Sequence, residues 1–124
     1  MARVLLIDDD ATVRYALKQV LERAGHQVDE ANDGNVGLDK YNADHQDVVV
    51  TDIIMPNQEG IETIQALREL RPTVRIIAMS GVFGGQFLQT AERLGADATL
   101  AKPIQVRLLR DTVDDLLGRQ LPRA

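Results

Sequence analysis

Short apolar runs and stretches of helical periodicity alternate along the whole chain. The apolar runs are Val4-Leu5-Leu6-Ile7, Val28 to Ala31, Val48-Val49-Val50, Ile76-Ile77-Ala78-Met79 and Ala98 to Ala101. Continuous runs of this length, β-branched in the first, third and fourth, are the signature of strands buried on both faces of a parallel sheet. The second and fifth are more polar, as edge strands are. Between the runs, Val13, Ala16, Leu17, Val20, Leu21 and Ala24 fall on one helical face, with Asp10 placed to cap the helix and Gly25 to end it. A weaker helix is expected over residues 35–43, which include Gly37. A third runs from about Gln58 to Leu70 with Ile61, Ile64, Leu67 and Leu70 inward, and stops before Pro72. A fourth begins near Gly85 and carries Phe87, Leu88, Ala91 and Leu94 before Gly95; the last follows Pro103 with Val106, Leu109, Val113, Leu116 and Leu117 on one side. Strict strand–helix alternation with short connections predicts an α/β fold, a doubly wound parallel sheet of five strands flanked by five helices.

Composition narrows this little. The 124 residues make one domain, expected over 1–118, with a loose tail at 119–124. No cysteine is present, which excludes disulfides and thiolate metal sites. No apolar stretch reaches the roughly 18 residues of a membrane span and no signal-peptide pattern opens the chain, so a cytoplasmic protein without membrane contact is expected. With a net charge of −5 and only two Tyr and two Phe, the chain lacks the basic, aromatic surface of a direct nucleic-acid binder.

The acidic balance gains meaning from where the acids stand. In open parallel sheets, ligands bind at the carboxyl ends of the strands. Here the first strand ends in Asp8-Asp9-Asp10, the third in Asp52 and the fourth in Ser80-Gly81, while the fifth runs into Lys102-Pro103. Carboxylates about 4 Å apart repel by ~4 kcal/mol at an effective dielectric of 20. A divalent cation relieves that conflict, and an all-oxygen donor set suits Mg²⁺, or alternatively Mn²⁺. A carboxylate neutralised in this way can attack phosphorus, with Lys102 and the Ser80 hydroxyl steadying the transferring oxygens. Singly, an aspartate after a strand is usually a helix cap or turn residue, the reading that fits Asp10. A serine before glycine and a lysine before proline are equally ordinary; their joint occurrence at predicted strand ends is what carries the chemistry.

The acidic pair after the first strand, Val-Val-Val-Thr-Asp-Ile-Ile-Met-Pro around Asp52, the serine after the fourth strand and Lys-Pro after the fifth together resemble the response-regulator receiver family of two-component signalling. The resemblance runs from Val4 to about Leu117 and includes stand-alone receivers of the chemotaxis-regulator type. It implies a flavodoxin-like strand order of 2-1-3-4-5 and Asp52 as phosphoacceptor. It further implies a metal site of Asp8, Asp9, Asp52 and the Ile54 carbonyl, Lys102 as counter-charge to the phosphate, and Ser80 as switch hydroxyl. The Lys102-Pro103 bond is similar to one that is cis in the family. The switch aromatic of the fifth strand is replaced by Thr99, so the output response is expected to differ. Phe83, in the glycine-rich loop 81–85, is a candidate substitute for it. Apolar Ile54 and Val82 beside the site imply slow loss of the phosphoryl group.

The resemblance also implies a sensor histidine kinase or histidine phosphotransfer protein as donor, docking near Val13, Arg14 and Leu17. A downstream protein target is implied as well, and a monomeric or weakly dimeric chain. Such a domain phosphorylates and dephosphorylates itself and is not a turnover enzyme. A haloacid-dehalogenase-type phosphatase offers the rival reading: Asp8-Asp9-Asp10-Ala11-Thr12 matches its Asp-x-Asp-x-Thr motif, with Asp8 as nucleophile. That reading leaves Asp52 without a role and puts the required later acids, Asp114-Asp115, inside a predicted helix. A flavin-binding module is disfavoured by three aspartates where a phosphate-cradling loop is needed.

Overall fold

A computed structural model of the chain describes residues 2–53, 60–81, 89, 91–93 and 95–118. Five parallel strands, β1 (Arg3–Ile7), β2 (Gln27–Ala31), β3 (Val48–Asp52), β4 (Ile76–Ser80) and β5 (Ala98–Ala101), form one sheet in the order β2-β1-β3-β4-β5. The described helices are α1 (Ala11–Arg23), α2 (Gly34–Asp44), α3 (Gly60–Leu70) and α4 (Val106–Gly118). Residues 89 and 91–93, within the fourth stretch expected to be helical, have helical backbone. The remainder of that stretch, the start of the third at Gln58, Phe83 and the 119–124 tail lie outside the described residues.

Strand alternation divides the core into two layers. Leu5, Ile7, Val49, Ile76 and Ala78 pack with Tyr41 of α2, Ile64 and Leu67 of α3, and Ala91. Val4, Leu6, Val48, Val50, Ile77, Met79 and Leu100 pack on the opposite face with Leu17 and Leu21 of α1 and Leu109, Val113 and Leu116 of α4. Every residue of β3 and β4 is buried, whereas β2 and β5 lie at the edges, as their polarity foretold. Three residues expected to face inward do not: Leu70 and Val106 are half exposed and Ala16 is exposed. Leu70 is the last residue of α3 and Val106 the first of α4, where the helix has left the sheet it covers.

Local signals set the helix ends. Asp10 accepts from the backbone N–H groups of Thr12 and Val13 at 2.9 and 3.3 Å, satisfying donors left open at the start of α1. Asp33 does the same for Val36 of α2. Past α1, Gly25 takes φ +94°, a left-handed conformation costly for other residues. At the edge remote from the strand ends, Arg68 of α3 donates to the Val74 carbonyl at 2.6 Å, the Pro72 carbonyl at 2.9 Å, the Gly95 carbonyl, and Asp97 Oδ2 at 3.2 Å. One guanidinium thus ties α3 to the segments entering β4 and β5.

Candidate functional site

Because the strands are parallel, their carboxyl ends share one edge of the sheet. The registers align Ile7 with Thr51, Asp52 with Met79, and Ser80 with Ala101. Asp8, one step past β1, stands beside Asp52, and Lys102, one step past β5, stands beside Ser80.

Asp8 is fully buried and Asp52 nearly so, whereas Asp9 is exposed. One carboxylate oxygen from each of the three lies within 4.8 Å of the others. Even at that separation two such charges repel by about 3.5 kcal/mol at a dielectric of 20. Lys102 spans two of them: its Nζ is 2.9 Å from Asp8 Oδ2 and 3.0 Å from Asp52 Oδ2. Burial works against the ammonium, but hydrogen bonds to Asp8 and Asp52 and the charges of both outweigh it, and its pKa lies above the ordinary lysine value. Asp8 Oδ1 accepts the Asp10 N–H at 2.9 Å, fixing the carboxylate from its other side.

Two more expected residues, Ser80 and Thr99, lie on the β4 and β5 side of this centre. Ser80 is buried at the end of β4, and its carbonyl accepts the Lys102 N–H at 3.0 Å, joining the serine and lysine segments. The Lys102-Pro103 bond is cis. Thr99 is half-buried opposite Ala78, two residues before the carboxyl end of β5. The Ile54 carbonyl and Val82 lie outside the described residues.

Two glycines shape the site, and neither role was read from the sequence. A Cβ on Gly60 would stand 2.1 Å from the Asp52 carbonyl oxygen and 2.3 Å from Ile53 Cα, and the Gly60 N–H donates to the Ile53 carbonyl at 2.5 Å. The first turn of α3 therefore presses directly on the backbone that carries Asp52. A Cβ on Gly81 would meet Lys102 Cβ at 3.0 Å. A glycine opening a strongly amphipathic helix was the one available cue.

A buried pair of carboxylates, a third exposed one and a bridging ammonium meet at the parallel sheet's carboxyl edge, an acidic cluster of the kind that can hold a metal ion. A family model for the response regulator receiver domain matches residues 4–114. The chain belongs to the response regulator receiver family. Members accept a phosphoryl group on themselves and are not turnover enzymes, so this receiver's family-level function is that of a phosphoacceptor with an acidic metal pocket. The chain is 35% identical over 104 residues to the chemotaxis protein CheY of Thermotoga maritima, covering 83% of this chain and 87% of that protein. It is 34% identical over 124 residues to the DNA-binding transcriptional regulator NtrC of Azospirillum brasilense, spanning 99% of this chain but 26% of that protein. The crystal structure of a response regulator from Chloroflexus aurantiacus superposes with a TM-score of 0.91 at 28% identity, covering 95% of this receiver and 98% of that chain. Asp114 and Asp115 lie within α4, so family and structure both leave the phosphatase reading without support. Among the described residues no helix is long and apolar enough to cross a membrane.

Proposed function

We propose that Asp52 is the phosphoacceptor and that Asp8, Asp9 and Asp52, with the Ile54 carbonyl, hold Mg²⁺. The observation that carries this reading is the single Lys102 ammonium held 2.9 and 3.0 Å from two buried carboxylates with Asp9 alongside. The shared carboxyl edge of the parallel sheet assembles this group from residues up to 94 positions apart. The donor set is all oxygen and supplies few protein ligands, which fits a hard cation that retains water. When bound, Mg²⁺ supplies charge neutralisation of the carboxylates and of the incoming phosphoryl oxygens.

The chain's own residues do the rest. A carboxylate oxygen of Asp52 forms the bond to phosphorus as the bond to the donor's imidazole nitrogen breaks, the electron pair leaving with the imidazole. Lys102 pairs with the charge gathering on the phosphoryl oxygens, and the Ser80 hydroxyl donates to one of them. Ser80 and Thr99 form the switch on the β4–β5 side, with Thr99 lacking the ring that family members carry there. The donor is a sensor histidine kinase or a histidine phosphotransfer protein. A cavity of about 230 Å³ beside Lys102, lined by Val13, Ala16, Leu17, Pro103 and Ile104, supports docking of an apolar partner surface where it can present a phosphohistidine. Output passes to a protein target.

Acetyl phosphate tests the metal-dependent transfer without a partner. With Mg²⁺ the chain is expected to gain one phosphoryl group by intact mass, and with EDTA none. A gain independent of the metal would overturn the role given to the acidic cluster.

A further inference from the structure

The acidic pair is held from behind by a residue outside the carboxylate cluster. Asp8 donates its N–H to the Ala31 carbonyl at 3.1 Å, the last contact of β1 with the β2 side. The donor that meets the Asp8 carbonyl is the Arg14 guanidinium, with Nη1 at 2.7 Å. Arg14 is itself anchored: its Nε donates to Glu30 Oε1 at 3.2 Å, and Glu30 Oε2 accepts Lys18 Nζ at 3.1 Å. Lys40 of α2 reaches the Glu30 carbonyl, clamping the same strand from its other side. A side chain on the first turns of α1 therefore bridges the ends of β1 and β2.

A peptide unit is planar, so fixing the Asp8 oxygen also fixes the Asp9 N–H and the direction in which Asp9 leaves the strand. Asp9 depends on this more than its neighbours do. Asp8 is buried with both oxygens engaged and Asp52 is held by Lys102, whereas Asp9 is exposed and, among the described residues, its side chain has no hydrogen-bond partner.

We propose that Arg14 is a positioning residue for the metal-binding pair: through the Asp8 carbonyl it holds the Asp8–Asp9 peptide so that the Asp9 carboxylate stays in the cluster, and Glu30, backed by Lys18, holds Arg14. This inference rests on Asp8, Asp9 and Asp52 being the Mg²⁺ site. Charge and positioning make opposite predictions here. As a mere cation near an acidic site, Arg14 repels Mg²⁺, and its removal would tighten binding. As a positioning residue its removal weakens binding, by roughly ten-fold, the lower end of losses seen when an outer contact of a metal site is deleted.

The test is a Mg²⁺ titration of the full chain followed by amide chemical shifts of the turn between β1 and α1. It compares parent, Arg14→Ala and Arg14→Lys, with urea stability recorded for each. Both variants are expected to bind Mg²⁺ about ten-fold more weakly. Lysine keeps the charge, but one ammonium does not reproduce the two-armed bridge, and this milder change decides the matter if Arg14→Ala does not fold. Tighter or unchanged binding in Arg14→Ala overturns the inference, as does an unchanged dissociation constant in Arg14→Lys. A parent without a Mg²⁺ response overturns the metal site itself and this inference with it, whereas a parent response that the variants match overturns Arg14's role alone.

Discussion

Lys102→Met removes the cation that Asp8 and Asp52 share while keeping most of the side chain's length. The ammonium lies 2.9 and 3.0 Å from the two carboxylates, and at an effective dielectric of 20 each contact carries about 5–6 kcal/mol of attraction. The net worth is smaller, because Lys102 is only 21% exposed and Asp8 not at all, and both lost water on folding. Removing one partner of a buried pair leaves the other's desolvation uncompensated, at a typical cost of about 3–5 kcal/mol. The repulsion between the survivors is part of that cost. In metal-free buffer Lys102→Met is therefore expected to lose about 3–5 kcal/mol, a large share of the ~5–15 kcal/mol that a domain usually has. Mg²⁺ stabilises whichever form binds it more tightly. In the parent Lys102 competes for the same oxygens, so the metal should stabilise the variant more and narrow the gap. Urea unfolding followed by circular dichroism, in EDTA and in saturating Mg²⁺, measures both quantities. A metal-free loss below about 1 kcal/mol, the scale of an exposed ion pair, would refute the picture of two buried carboxylates sharing one cation. Equal Mg²⁺ increments in parent and variant would refute the competition.

Gly60→Ala should cost about 1–3 kcal/mol in urea unfolding, because its Cβ meets backbone atoms that cannot swing aside, and it should slow phosphorylation by displacing the end of β3. Parent-like stability and rate would show that α3 accommodates a side chain there. Arg68→Ala should cost about 2–3 kcal/mol by the same assay, since it strips a donor from three carbonyls and a counter-charge from buried Asp97; a loss of a few tenths would make the staple ornamental. Burial raises the Glu30 pKa, but Lys18 and then Arg14 outweigh it and hold the carboxyl below the ordinary glutamate value. A lowered folded pKa stabilises above the unfolded value and is lost as pH falls through the folded one. The stability difference between parent and Glu30→Gln should therefore be constant at neutral pH and shrink below about pH 4.3; a difference unchanged down to pH 3 or so would contradict the pairing.

How much of this was legible in the sequence follows from the range of each interaction. Five apolar runs marked the strands within a residue or two, because a strand buried on both faces must be apolar throughout. β3 runs two residues past Val50, through Thr51 and Asp52, which are buried although polar, so the apolar run alone understated its length. Asp10 and Gly25 were readable as helix punctuation because capping is local. The meeting of Asp8, Asp9, Asp52 and Lys102 was readable too: one parallel sheet gathers its strand ends at one edge, so spacing in the chain did not matter. What stayed hidden was long-range and backbone-directed. Nothing in the sequence near Arg14 points to the Asp8 carbonyl, nothing near Arg68 to Gly95, and nothing near Gly60 to Asp52. Leu70 and Val106 were placed inward because periodicity continues to a helix's end residues, whereas the sheet beneath them does not.

The most direct test of the central claim is which carboxylate takes the phosphoryl group. Parent, Asp52→Asn and Asp8→Asn chains would be incubated with acetyl phosphate and Mg²⁺ and weighed intact. The account predicts a gain of one phosphoryl group in the parent and none in Asp52→Asn, with Asp8→Asn impaired through its metal site. A gain that persists in Asp52→Asn and disappears in Asp8→Asn would contradict it, moving the nucleophile to the first strand.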